Sequence, residues 1–177
     1  MSNSALIIGA GPAGLMAAER LLAQGAQVQI FDAKPSIGRK FLMAGKSGLN
    51  LTKNEPLAIF QNQYYDASAQ LAPMLNDFGP ADVMRWANAL GADVFSGSSG
   101  RVFPKAMKAS PLLRAWMLRL QNAGAELRVK SRWRTLNKDG CFGFETPSGP
   151  AQITPDVAVL ALGGGSWKKL GSDGQWI

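Results

Sequence analysis

Three glycines and one acid are the residues of this chain whose types and spacing suggest chemistry. Gly9 permits a tight turn, and Gly11 leaves no Cβ where a pyrophosphate would approach the backbone. Gly14 would allow a helix to pack closely on a strand. Asp32 lies about 20 residues beyond the turn, where its carboxylate would accept hydrogen bonds from a ribose hydroxyl. We therefore predict a site for a dinucleotide with an unphosphorylated ribose, either FAD or NAD.

An apolar strand, a helix and a second apolar strand are predicted to position these residues. Residues 6–8 form a continuous apolar run, which is typical of a strand buried on both faces of a parallel sheet. The helix would begin near Pro12 and direct its free N–H groups and positive dipole end toward the phosphates. Gly25 is placed to end this helix, and residues 28–31 would form the second strand. Because these signals are in register, a dinucleotide-binding βαβ unit is favoured over a purely structural glycine turn.

The rest of the chain predicts a doubly wound α/β fold, with a parallel sheet and a small antiparallel excursion. The predicted elements are a functional loop over 33–54, helices over 56–90, a strand at 101–103 ended by Pro104, a helix from Ser110 to Gly124, strands at 127–129, 133–136, 141–145 and 151–153, and an apolar strand at 157–162. We treat residues 1–177 as one FAD/NAD(P)-binding domain. The bounds of any inserted subdomain are not predicted.

Composition excludes several kinds of active site. The 177 residues contain no histidine and one cysteine, Cys141, so histidine catalysis, the usual zinc sites and a CxxC redox pair are excluded. Cys141 lies in an apparent strand and is interpreted as a packed small residue. No apolar run approaches the ~20 residues of a membrane span, and the N-terminal apolar stretch lacks the basic leader of a signal peptide. We expect a cytoplasmic protein with no membrane partner and no metal.

The formal charge of +7 raises the possibility of nucleic-acid binding. Arg128, Lys130, Arg132 and Arg134 alternate with other residues, which in a strand would place four cations on one face. No nucleic-acid motif accompanies them. We interpret the stripe as a solvated strand face or a partner surface, and we expect a small-molecule substrate and no nucleic acid.

Four ordered motifs resemble a known family over nearly the whole chain. The first βαβ unit together with the late turn at 160–164 resembles the glutathione-reductase-like FAD fold. More specifically, residues 38–41 and 44–52 resemble the signature GRKxLxxGxGxxNLT of the HI0933-like flavoproteins, also named after YhiN. Residues 100–104 with Lys108 and Ala109 resemble the family's GRVFP…KA segment, and 161–167 with 171–174 resemble its ATGGxSxxxxGSxGDG segment.

The chain departs from the family pattern at three points. Gly48 and Leu49 stand where many members have Arg and Cys, so no role of that cysteine is carried over. Leu162 replaces the usual Thr and removes a hydroxyl near the cofactor. Family members are also longer, so the resemblance implies the N-terminal half of such a protein, without the later strand and helix that return to the flavin.

The resemblance implies an FAD-binding oxidoreductase that transfers hydride between a nicotinamide, NAD(P)H, or an organic substrate and an unknown acceptor. The alternatives are a truncated, inactive binding or interaction module and an NAD-binding regulator. No catalytic residue and no oligomeric state are predicted. The predicted cofactor-binding residues are Gly9, Ala10, Gly11, Pro12, Ala13, Gly14, Asp32, Ala33, Arg39, Lys40, Lys46, Trp133, Ala161, Gly163 and Gly164.

Four of these assignments leave alternatives open. Arg39, Lys40 and Lys46 would face the pyrophosphate and the flavin, or would be exposed loop cations. The backbone near Arg132 and Trp133 would face the adenine, as the family resemblance implies, whereas the Trp133 side chain is equally suited to the core.

Overall fold

The computed structural model describes residues 3–165, 167–170 and 174. Its strands are β1 (Ser4–Ile8), β2 (Gln27–Phe31), β3 (Thr52–Lys53), β4 (Val94–Ser96), β5 (Arg101–Pro104), β6 (Glu126–Arg128), β7 (Arg132–Leu136), β8 (Phe142–Thr146), β9 (Gly149–Ile153) and β10 (Val157–Leu160). Its α-helices are α1 (Pro12–Ala23), α2 (Arg39–Ala44), α3 (Leu57–Asn62), α4 (Ser68–Asp77), α5 (Pro80–Ala89) and α6 (Ala109–Asn122), with short 3₁₀ turns at Tyr65–Ala67 and Lys168–Leu170. Residues 1–2, 166, 171–173 and 175–177 lie outside the described residues, and they include Ser166, Gly171, Ser172 and Asp173 of the last family motif.

The chain divides into two compact units. The first comprises Met1–Phe41 and Met117–Ile177, and the second comprises Leu42–Trp116. The first unit contains a parallel sheet of order β10-β1-β2-β6 and an antiparallel sheet of order β7-β8-β9. The second contains the antiparallel sheet β3-β5-β4 and the helices α3, α4 and α5. The predicted α/β class, with a parallel sheet and an antiparallel excursion, is confirmed.

β1 is one of the two inner strands of the parallel sheet, and its side chains are apolar on both faces. It pairs in parallel with β2 on one side and with β10 on the other. Leu6 and Ile7 each have 0% exposure, as two-sided burial predicts. Among the described residues β10 pairs only with β1, so it is an edge strand. Val157 and Leu160 therefore remain 45% and 48% exposed despite their apolar character.

The antiparallel sheet β7-β8-β9 shares a hydrophobic core with β1 and β2. Phe142 and Phe144 of β8 pack with Leu6, Ile8 and Phe31. The rings of Phe31 and Phe144 have centroids 4.2 Å apart. This packing fixes the antiparallel sheet against β1 and β2, whose carboxyl ends carry the predicted site.

The predicted stripe of four cations on a single strand is wrong. Arg128 ends β6 in the parallel sheet, whereas Arg132 and Arg134 lie in β7 of the antiparallel sheet. Between them Lys130 adopts a left-handed backbone conformation, φ 54°, which breaks the strand. Arg134 pairs with the Glu145 carboxylate at 2.6 Å, and this hydrogen bond lowers the pKa of that carboxyl.

The predicted loop over 33–54 is only partly a loop. It contains α2 and the short strand β3, and β4 lies between the predicted helices and the predicted strand at 101–103, where no element was predicted. β3 and β4 exist because each pairs with β5, a partner that local periodicity does not reveal. Pro104 does not end the strand before itself but is the last residue of β5. Among the described helices, none combines the length and apolarity needed to cross a bilayer.

Candidate functional site

The glycine turn after β1 is held between β2 and the residues that follow β10. Gly9 has φ 110° and donates its N–H to the Phe31 carbonyl at 2.8 Å. A Cβ at Gly9 would overlap with the carbonyl oxygen of Ala161. The position therefore requires glycine both for its backbone conformation and for its close neighbour.

The turn leads directly into α1, whose amino end faces the cleft described below. Gly11 is the N-cap and forms no side-chain cap, and Pro12 occupies the first turn. A Cβ added at Gly11 would meet no atom within 4 Å, so the space in front of it is open. At Gly14 an added Cβ would instead overlap with the carbonyl oxygen of Gly9. Gly14 thus serves close packing of helix on turn, and Gly11 leaves room for an anion at a helix amino end.

Asp32 connects the ends of β1 and β2 through both of its carboxylate oxygens. Oδ2 accepts the Ala10 N–H at 2.8 Å, and Oδ1 accepts the Lys34 N–H at 2.8 Å. Each oxygen keeps a further lone-pair direction that can accept a ribose hydroxyl. The sequence predicted the ribose role but not this structural clamp, which fixes the glycine turn before any ligand arrives.

A cleft of about 600 Å³ opens at the carboxyl ends of β1, β2 and β10, where α/β proteins place their ligands. The predicted site residues that line it are Gly9, Ala10, Gly11, Pro12, Ala13, Asp32, Ala33, Arg39, Lys40, Trp133, Ala161, Gly163 and Gly164. Gly14 is buried beneath the turn, and Lys46 belongs to the second unit and is not part of this lining. The structure thus assembles segments from four parts of the first unit around one cavity.

Several lining residues were not predicted. Lys34 and Ser36 lie two and four residues after Asp32, and this closeness in sequence was an available signal. Ser131 is 3% exposed and donates its backbone N–H to the Asp32 carbonyl at 2.9 Å. Only the tertiary structure places Ser131 in the cleft, because nearly a hundred residues separate it from Asp32.

Two lining side chains also belong to the hydrophobic core. Trp133 and Leu162 both pack against the cluster that contains Phe142 and Phe144. The Trp133 indole N–H donates to the Thr135 carbonyl at 2.7 Å. The core interpretation of the Trp133 side chain is therefore supported by its contacts. Leu162 makes this part of the cleft apolar.

The cleft carries more positive than negative charge. Its cationic side chains are Lys34, Arg39, Lys40 and Arg132, and its carboxylate is Asp32. This balance suits a ligand with two or more negative charges next to a hydroxyl-bearing group. Within the described residues no cluster of His, Cys, Asp and Glu could hold a metal ion.

Comparisons with known proteins agree with this arrangement. Residues 3–177 match the family model described as HI0933-like protein Rossmann domain. The chain is 30% identical over 173 residues to a 3-dehydro-bile acid delta(4,6)-reductase of Clostridium scindens, covering 96% of this chain and 41% of the relative. Over 67 residues it is 42% identical to the ribosomal RNA dihydrouridine synthase of Haemophilus influenzae, covering 36% of this chain and 17% of that protein.

Among solved structures, the open conformation of a flavocytochrome c3 fumarate reductase is similar with a TM-score of 0.65 and 21% identity. The match covers 92% of this chain and 34% of that chain. At this identity the likeness shows a shared fold. The chain spans less than half the length of the two curated relatives.

Proposed function

The chain belongs to the HI0933-like family, and we propose that it forms the FAD-binding part of an oxidoreductase. The observation that carries the proposal is the convergence of the glycine turn, the amino end of α1 and Asp32 on one cationic cleft. When bound, FAD supplies hydride and electron transfer through its isoalloxazine ring. The residues of this chain would bind and orient the cofactor.

The residues present fit the parts of FAD. The open space at Gly11 and the amino end of α1 suit the pyrophosphate. The free lone pairs of Asp32 suit a ribose hydroxyl, and an acid at this position disfavours the 2′-phosphate of NADP as the ligand of this cleft. A cleft of about 600 Å³ is of the size that encloses a cofactor-sized molecule. We further propose NAD(P)H as the electron donor, bound outside this cleft, and a cytoplasmic location.

For the substrate we propose a small molecule with a carbon–carbon double bond conjugated to a carbonyl group. The names of the two curated relatives describe reduction of a 3-dehydro-bile acid and formation of dihydrouridine. In the first name the 3-dehydro carbonyl is conjugated to the double bonds at positions 4 and 6, and in the second the reduced double bond of uracil is conjugated to a ring carbonyl. A reduction of either kind adds two hydrogens across a carbon–carbon double bond. The balance is one hydride, added at the carbon remote from the carbonyl, and one proton, added at the adjacent carbon. We favour a small molecule over RNA because Arg128 and Arg134 are paired with carboxylates instead of forming a cationic stripe.

The visible absorption spectrum of the purified protein tests the cofactor, with identification of the molecule released on denaturation. We expect a flavin spectrum and released FAD. A folded protein that neither retains nor binds added FAD would contradict the proposal, and selective stabilisation by NAD would support the NAD-binding alternative.

Reoxidation of the reduced protein by a conjugated enone, but not by its saturated analogue, tests the substrate class. Bound FAD with no such reoxidation would favour the binding-module alternative.

Substitution of Asp32 by asparagine is expected to weaken FAD binding by about tenfold or more and to lower stability by about 1–3 kcal/mol. The amide can accept only one of the two backbone N–H groups that the carboxylate accepts now, and it presents its own donors to the other. Calorimetric titration with FAD and thermal unfolding measure the two effects. Asp156→Asn is the matched control, because Asp156 also accepts a backbone N–H, from Ser4 at 2.7 Å, but does not line the cleft. Equal FAD affinities for wild type and Asp32→Asn would exclude the ribose role.

A further inference from the structure

Arg39 has a buried hydrogen-bond donor that no described residue satisfies. Its Nε is buried and lacks a partner. Its Nη1 donates to Ser36 Oγ only at 3.4 Å, which is long for a hydrogen bond. A buried guanidinium N–H without an acceptor is unfavourable, and a turn of the side chain toward an acceptor in the cleft would satisfy it.

The backbone places Arg39 beside the glycine turn. The preceding residue, Gly38, adopts φ 58° and donates its N–H to the Ala10 carbonyl at 2.9 Å. Ala10 also donates its own N–H to Asp32. Gly38, the turn and Asp32 are therefore linked by hydrogen bonds into one local framework, and the Arg39 side chain extends from it to line the cleft.

The shape of the Arg39 guanidinium indicates which kind of acceptor it suits. A guanidinium presents parallel N–H groups that match two oxygens of a phosphate, and such charge-assisted bonds are stronger than neutral ones. We propose, on the premise that the cleft binds FAD, that Arg39 clamps the pyrophosphate across from the amino end of α1. Arg39 is then a positioning residue that sets the location of the dinucleotide against the glycine turn. This assignment separates Arg39 from Lys46, which lies in the second unit and does not line the cleft.

Binding of FAD, ADP and adenosine to wild type, Arg39→Gln and Arg39→Lys tests the assignment. ADP contains the pyrophosphate and adenosine lacks it. We expect Arg39→Gln to weaken FAD and ADP binding by about 10- to 100-fold and adenosine binding by less than about twofold. The FAD and ADP affinities of Arg39→Lys should lie between those of wild type and Arg39→Gln, because lysine keeps the positive charge but lacks the planar guanidinium. Arg20→Gln is the control for the loss of one positive charge, since Arg20 is exposed on α1 outside the cleft.

Unfolding of the ligand-free proteins distinguishes a binding role from a structural one. We expect the Tm of Arg39→Gln to equal or exceed that of wild type, because the substitution removes an unsatisfied buried donor. Three results for Arg39→Gln would each overturn the assignment: an unchanged ADP affinity, a loss of adenosine affinity equal to the loss of ADP affinity, or a lowered Tm. None of them would contradict the proposal that the cleft binds FAD. If wild type binds neither FAD nor ADP, the proposed function fails and this assignment fails with it.

Discussion

Gly14→Ala is expected to destabilise the first unit by about 3 kcal/mol or more, and to abolish its folding if its stability is marginal. The added Cβ would overlap with the Gly9 carbonyl oxygen and lie 3.2 Å from Cγ2 of Ile7. Neither neighbour can move freely, because Gly9 is hydrogen-bonded to Phe31 and Ile7 is completely buried. Denaturant unfolding monitored by circular dichroism measures the loss.

Gly25→Ala is the matched control for this substitution. Gly25 has φ 80° and follows the same helix, but a Cβ there would meet no atom within 4 Å. Only backbone strain applies, and its cost is about 1–2 kcal/mol. A Gly14→Ala protein as stable as wild type would show that α1 does not pack on the turn as closely as described.

Gly11→Ala is expected to leave the fold nearly intact and to lower FAD affinity by about 100-fold or more. The backbone at Gly11, with φ −82° and ψ 179°, is acceptable for alanine, and no protein atom lies within 4 Å of the added Cβ. Loss of glycine at the N-cap costs less than about 1 kcal/mol. The methyl group would occupy the space that the pyrophosphate requires, and a clash with a rigid site costs ~3 kcal/mol, equivalent to about 100-fold.

The measurement for Gly11→Ala is the flavin content of the purified protein together with its Tm. A protein that loses flavin but keeps its Tm would separate the role of Gly11 from that of Gly14, whose substitution acts on folding. Gly25→Ala again serves as the control, since it alters a glycine outside the cleft. Full flavin content in Gly11→Ala would mean that the pyrophosphate does not approach this residue.

The two glycine predictions differ although both residues belong to one motif. The sequence predicted both roles, close packing for Gly14 and phosphate approach for Gly11, from spacing alone. The structure makes the two roles separately testable. A Cβ at Gly14 would overlap with the Gly9 carbonyl oxygen, whereas a Cβ at Gly11 would meet no atom within 4 Å. The same holds for Asp32, where the structure adds a clamp on the turn to the predicted ribose contact.

Local sequence signals were sufficient to predict the βαβ unit from β1 to Asp32. Residues 6–8, the helix starting at Pro12, its end before Gly25 and the strand at Gln27–Phe31 depend on local periodicity and on glycine and proline backbone preferences. These signals act between neighbours in the chain, so they can be interpreted without knowing the rest of the fold. The family motifs extended this to the late turn and to the cationic segment that contains Arg39.

The tertiary structure shows how the distant segments meet at the site. Ala161 comes against Gly9 because β10 pairs with β1, and Ser131 reaches Asp32 because the chain turns at Lys130 after β6. The same turn divides the predicted cationic stripe between two sheets, and Lys46 lies in the second unit. Strand pairing is a contact between residues far apart in sequence, and its energy depends on both partners. A pattern within one segment therefore determines what that segment can form, while the paired segments determine where its side chains lie.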